Sequence, residues 1–128
     1  MNFPSQKLKR IARLEGTPTF VYSEKILKAN VARILDASHE HGLAGRIGLY
    51  IAYFCNSNPH LFEIITREKV GILLQTQEEY LQIKSRCLSA KTIVSPSVLS
   101  DQEIDFWVKK TVPINLSSFE EVRYFIKH

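Results

Sequence analysis

From residue 47 onward the hydrophobic and polar positions switch repeatedly between two rhythms. Ile47-Gly48-Leu49-Tyr50-Ile51-Ala52-Tyr53-Phe54-Cys55 is a nearly unbroken apolar run, the pattern of a strand buried on both faces. Asn58-Pro59 then offers an N-cap and first-turn pair, and Leu61, Phe62 and Ile65 recur at helical spacing to about Lys69. A second unit opens with Val70-Gly71-Ile72-Leu73-Leu74. Thr76 and Glu79 follow it with capping-box spacing, and Tyr80, Ile83 and Cys87 mark one face of the next helix. The third unit has Thr92-Ile93-Val94, the box Ser100 to Glu103, then Ile104, Trp107 and Val108. The fourth has Val112-Pro113-Ile114-Asn115-Leu116, the box Ser118 to Glu121, then Val122, Phe125 and Ile126. Pro113 stands near the start of its run, where a missing donor is tolerated. Strand starts near 47, 70, 92 and 112 lie 23, 22 and 20 residues apart, and three capping boxes fall at the same phase. The pattern predicts four βα units with parallel strands.

Ahead of these units, Thr17-Pro18-Thr19-Phe20-Val21-Tyr22 reads as a short strand. Ser23 caps a helix with an apolar face of Leu27, Val31, Ile34, Leu35 and Ser38, closed by Gly42. The predicted fold class is α/β: a short strand and a helix, then a parallel (βα)4 unit. No linker rich in Gly, Pro or Ser divides residues 16–128, which read as one domain behind a basic leader at 1–15.

Composition narrows the function classes. A hydrophobic share of 45% with 23% charged residues excludes general disorder. No run of 18 apolar residues exists, so no membrane span is expected, and charge rather than an apolar h-region follows the N-terminus. Cys55 and Cys87 make no disulfide framework; the expectation is a cytoplasmic protein with free thiols. The net charge of +4 comes entirely from residues 1–50, with eight basic against four acidic groups; the remainder balances at nine each. No aromatics alternate with the charges of Lys7-Leu8-Lys9-Arg10, so a solvated, poorly ordered leader is expected and nucleic acid ranks last among partners.

In parallel α/β folds, ligands sit at the carboxyl ends of the strands, beside the helix N-termini. That rim comprises Asn56, Ser57, Asn58, Gln75, Thr76, Gln77, Ser95, Ser97, Asn115, Ser117 and Ser118, polar and almost uncharged. Hydroxyls and helix N-termini could hold an anion, while helix capping accounts for most of these side chains. His39-Glu40-His41 precedes Gly42 at a helix end and reads as solvated. His60, in the first turn of a helix, is the one imidazole close enough to the rim to face a ligand, with surface exposure the favoured reading. Cys55 reads as a small buried residue and Cys87 as core. No phosphate-binding glycine loop and no metal-ligand spacing is present.

The stretches Gly16-Thr17-Pro18-Thr19-Phe20-Val21-Tyr22 and Ile51-Ala52-Tyr53-Phe54-Cys55-Asn56-Ser57-Asn58-Pro59 resemble the N-terminal part of fold-type III pyridoxal-phosphate decarboxylases. These are the alanine-racemase-like barrel enzymes that include diaminopimelate and ornithine decarboxylases. The family opens on a Gly-Thr-Pro strand and carries Tyr-Ala-Val-Lys-Ala-Asn-Ser-Asn-Pro after its first barrel strand. Leu74-Gln75-Thr76-Gln77-Glu78-Glu79-Tyr80 and Ile114-Asn115-Leu116-Ser117-Ser118-Phe119-Glu120-Glu121 are similar to its Val-Ser-Gly-Gly-Glu-Leu and Val-Asp-Ser-Leu-Glu-Glu segments, in the same order.

Three departures change what the resemblance implies. The family's Schiff-base lysine falls on Phe54, and an imine needs a primary amine. The family's glycine pair is replaced by Gln77-Glu78. A complete barrel of this class takes ~250 residues and eight units, whereas four are legible here, so the resemblance implies a TIM-barrel-like (βα)4 half-barrel. The groups that would hold the cofactor's phosphate and ring are, by the resemblance, in the other half. The expectation is therefore a non-catalytic relative with no catalytic residue and no cofactor, acting by assembly or by binding a small ligand around Asn56, Ser57, Asn58, His60, Thr76 and Ser118. The competing reading is one subunit of a split decarboxylase or racemase, binding pyridoxal phosphate only when a second chain completes the site. Either way the open sheet edges call for a homo-oligomer or a partner protein.

Overall fold

The computed structural model describes residues 4–86, 89–97 and 99–127. In chain order the elements are α1 (Ser5–Glu15), α2 (Glu24–Glu40), β1 (Tyr50–Ala52), a 3-10 turn (Tyr53–Cys55) and α3 (Pro59–Arg67). There follow β2 (Gly71–Leu74), α4 (Gln77–Arg86), β3 (Thr92–Val94), α5 (Asp101–Val108) and α6 (Phe119–Lys127). The strands lie side by side in chain order, β1-β2-β3, and both pairings are parallel. Ile51 is opposite Ile72, and Ile72 is opposite Thr92.

Alternation along β2 sorts the two faces of the sheet. Ile72 and Leu74 are fully buried and pack with Phe62, Tyr53, Ile83 and Ala90. A second cluster joins Val31 of α2 to Ile65 and Val70, with Leu27, Leu35, Leu49, Ile51 and Leu61 packed around it. On the opposite face the cross-strand row Ala52, Leu73, Ile93 is only half-buried. On that face the Tyr50 ring lies over Gly71, and Lys91 Nζ stands 5.5 Å from the ring centroid.

All three capping boxes form. Thr76 Oγ1 accepts from the Glu79 N–H at 3.2 Å, and the Glu79 carboxylate accepts from the Gln75 and Thr76 N–H groups. Ser118 Oγ accepts from the Glu121 N–H at 3.1 Å, and Glu121 returns the bond to Ser117 and Ser118. Ser100 and Glu103 complete a reciprocal box on α5. The backbone N–H and hydroxyl of Ser100 hold the Glu103 carboxyl below its ordinary value. A carboxyl so lowered contributes stability that is complete above its unfolded pKa and lost as the pH falls through the folded one. Ser100→Ala is expected to cost about 1 kcal/mol near neutral pH and to flatten that part of the acid-unfolding curve. Urea melts at a series of pH values check both.

α2 ends as Gly42 predicts. Gly42 has φ +67°, its N–H bonds to His39 O and the Leu43 N–H to Ser38 O, the paired bonds of a Schellman cap.

Several expectations are corrected. Residues 17–22 form no strand: no sheet edge takes up their ladder groups, and Phe20 is 89% exposed. Residues 5–15 form a helix rather than a disordered leader, though none of its side chains is buried. The first strand is three residues long, because Tyr53–Cys55 turns into a 3-10 helix; Cys55 is consequently exposed instead of buried. The run 112–116 joins the sheet through one bridge, Val94 to Ile114. Its bonds are Val94 N–H to Pro113 O and Asn115 N–H to Val94 O. In the parallel pattern the next rung, to Thr92, needs an N–H at position 113, and proline has none. Ile34 of α2, Val108 of α5, and Val122 and Ile126 of α6 are exposed rather than core. Cys87, placed in the core by its helical spacing, lies outside the described residues.

Candidate functional site

The rim residues follow the carboxyl ends of the strands and stand at or just before the starts of α3, α4, α5 and α6. Phe54 sits in the 3-10 turn directly after β1, 61% exposed. Its neighbour Tyr53 turns the other way, is buried, and stacks on Phe62 with centroids 5.0 Å apart. The Tyr53 hydroxyl donates to Gln82 of α4.

The polar residues after Phe54 are tied up locally. Asn56 Oδ1 accepts from the Asn58 N–H at 3.0 Å, and Asn58 Oδ1 accepts from the His60 N–H at 3.0 Å. Asn58 is thereby the N-cap of α3, with Pro59 in its first turn. Thr76 and Ser118 cap α4 and α6 through their hydroxyls. Helix capping thus occupies three of the six proposed ligand residues, Asn58, Thr76 and Ser118. His60 projects into solvent, 83% exposed, with Nδ1 3.8 Å from a Glu63 carboxylate oxygen. Ser57 lines a recess of about 100 Å³ between Tyr53, Pro59, Gln82, Ile83 and Arg86.

Asn56 has one further contact that the sequence did not disclose. Its amide donates to the Tyr22 hydroxyl at 2.7 Å, across 34 residues. The two side chains close the polar end of an apolar cavity of about 310 Å³ lined chiefly by Leu27, Ile51, Leu61, Phe62 and Ile65. Reading 17–22 as a strand concealed this role of Tyr22; the signal available was a polar-tipped aromatic just before a helix cap. A second cavity, about 270 Å³, continues along β1 between Leu49, Ile51 and Val70 and α2 residues Val31 and Ile34. No charged side chain lines either cavity.

The titratable groups with displaced pKa values stand apart from this chemistry. Glu103 belongs to its cap. Tyr124 of α6 is raised by its hydrogen bond to Asp101 and the negative charge there. At the start of α2, Glu24 is lowered and Lys28 raised by their mutual ion pair at 2.8 Å. No cluster of His, Cys, Asp and Glu suited to a metal occurs among the described residues. No helix there is long and apolar enough to cross a membrane.

Pyridoxal phosphate, which the resemblance implies, does not fit the residues present. A covalent seat needs an amine at the carboxyl end of a strand. Lys69 and Lys91 precede β2 and β3, and the remaining lysines lie in helices or just after α5.

No family model matches the chain, and no solved structure matches it. Among curated proteins it is similar to the diaminopimelate decarboxylase of Thermoplasma acidophilum, at 25% identity over 117 residues. The aligned region covers 91% of this chain and 28% of that enzyme, so the likeness is to part of a decarboxylase.

Proposed function

We propose that the chain is a decarboxylase-like βα module that performs no pyridoxal-phosphate chemistry by itself and acts through protein assembly. Phe54 carries this reading. It stands at the carboxyl end of β1, where the resemblance puts the reactive lysine, and a benzyl group forms no imine. The similarity to part of a diaminopimelate decarboxylase supports the origin of the module. The capped helix starts support a rim built for structure.

Incubation with pyridoxal phosphate tests the catalytic half of the proposal. The expected result is weak labelling scattered over exposed lysines after borohydride reduction and peptide mapping. A defined lysine-linked band at about 410–430 nm, with the label concentrated on one lysine, would overturn it.

The split-enzyme alternative is favoured by one observation, the unpaired outer edge of β1. It requires a second chain that brings both the lysine and the phosphate site, and it predicts that the band appears only in the mixed complex.

A further inference from the structure

The outer edge of β1 is chemically suited to accept a further strand. β1 is the terminal strand of the sheet. The Gly71 N–H bonds to Leu49 O, so by parallel alternation Leu49 and Ile51 serve β2, while the N–H and C=O groups of Tyr50 and Ala52 point outward. Next to β1, between its side chains, α2 and α3, lie the two uncharged cavities of about 270 and 310 Å³. They share Ile51, Leu27, Asn30 and Ile65, and therefore adjoin one another at Ile51 of β1. α2 makes a roof over them, with Ile34 still 48% exposed. A strand laid here would point alternate side chains, roughly 6.6 Å apart, into the two cavities in turn.

The chain carries such a strand at its other edge. In 112–116 the apolar residues Val112, Ile114 and Leu116 alternate with Pro113 and Asn115. Pro113 and Asn115 bond to β3, so the N–H and C=O groups of 112, 114 and 116 face the free side. Pro113, which spoils the inner ladder, removes nothing from the outer one. Val112, Ile114 and Leu116 are each only half-buried.

We infer that two copies of this chain pair around a two-fold axis, each laying its 112–116 segment parallel to β1 of the other. Two successive members of the Val112, Ile114, Leu116 row fill the two cavities under the facing α2. One symmetry operation closes both open edges of both chains. The resulting count of eight strands, four from each copy, is the number at which a parallel sheet closes on a side-chain-filled interior. The half-buried row Ala52, Leu73, Ile93 would line that interior. This inference rests on the assembly reading above and names its partner.

The test is solution mass of the full chain by sedimentation equilibrium across a wide concentration range. The expected species is a discrete dimer of twice 14.7 kDa. Ala52→Pro removes an outward donor without touching the ladder to β2, and Ile34→Glu places a charge in the roof. Each is expected to weaken the dimer at least tenfold, with the circular dichroism of the chain retained. Ile126→Glu, on the exposed face of α6, is expected to leave it unchanged. A monomer throughout, an open-ended series of larger species, or a dimer indifferent to both Ala52→Pro and Ile34→Glu overturns the two-fold closure. Loss through Ile126→Glu alone would move the interface to α6 and overturn it equally. None of these outcomes alters the cofactor-labelling result, so failure of this inference is separable from failure of the non-catalytic reading.

Discussion

Phe62→Ala is expected to lower the unfolding free energy by about 3–5 kcal/mol, the usual cost of emptying a buried phenylalanine site. A domain of this size has about 5–15 kcal/mol in total, so the variant stands near the limit of folding. The side chain is 1% exposed and is packed with Ile72, Leu74 and Ile83. Its ring also stacks on Tyr53 at an interplanar angle of 15°. Truncation therefore opens a void between α3 and the sheet and strands the Tyr53 ring over it. The control is Phe54→Ala, eight residues earlier in an equally apolar stretch. That ring is 61% exposed, and its loss is expected to stay within about 0.5 kcal/mol. Urea denaturation with unchanged m-values measures both. Equal effects at the two positions would refute the assignment of Phe62 to the core and Phe54 to the rim.

Gly71→Ala is the second large effect. Alanine in a strand is ordinarily better than glycine by about 0.5–1 kcal/mol, yet here a net loss of about 1–3 kcal/mol is expected from overpacking. A β-carbon at this position would overlap Tyr50 Cδ1 and Cε1, ring atoms close to the backbone rather than a mobile tip, and would stand 3.0 Å from the Lys91 carbonyl oxygen. Tyr50 covers the gap left by the glycine on the open face of the sheet and is itself approached by Lys91 Nζ. In a Tyr50→Ala background most of the penalty should vanish, giving a coupling of about 0.5–3 kcal/mol. An undiminished penalty would mean that the Lys91 carbonyl, not the ring, sets the cost.

The parts of the fold that were legible in the sequence are those decided locally. Each capping box is a contact between residues three apart, so Thr76–Glu79, Ser100–Glu103 and Ser118–Glu121 could be read directly and all three form. β3 and the parallel order followed from the spacing of the boxes. The errors arose where the outcome depended on a neighbour. Residues 17–22 have strand-like composition, but a strand exists only against a partner edge. The run 47–55 is apolar throughout, yet it pairs only from Tyr50 to Ala52 opposite Gly71 to Leu73 before the chain turns. α6 has a helical stripe of which no residue is buried, and Phe119 and Ile126 remain about four-fifths exposed. Among the site residues, the capping roles of Asn58, Thr76 and Ser118 were visible in their spacing. The Asn56–Tyr22 bond was not, because nothing in either local sequence announces a contact across 34 residues.

The same capping boxes bear on which ligands the rim can accept. The start of a helix is electropositive and normally open to a phosphate. At α4, α5 and α6 that position is already held by the side-chain carboxylates of Glu79, Glu103 and Glu121. An incoming anion would have to displace a competitor tethered to the protein itself, whose local concentration dilution cannot lower. Only the start of α3, closed by the neutral amide of Asn58, escapes this self-inhibition among the four helices of the rim. The chain's own glutamates thus make most of its strand-end surface selective against the negatively charged molecules that such surfaces usually attract.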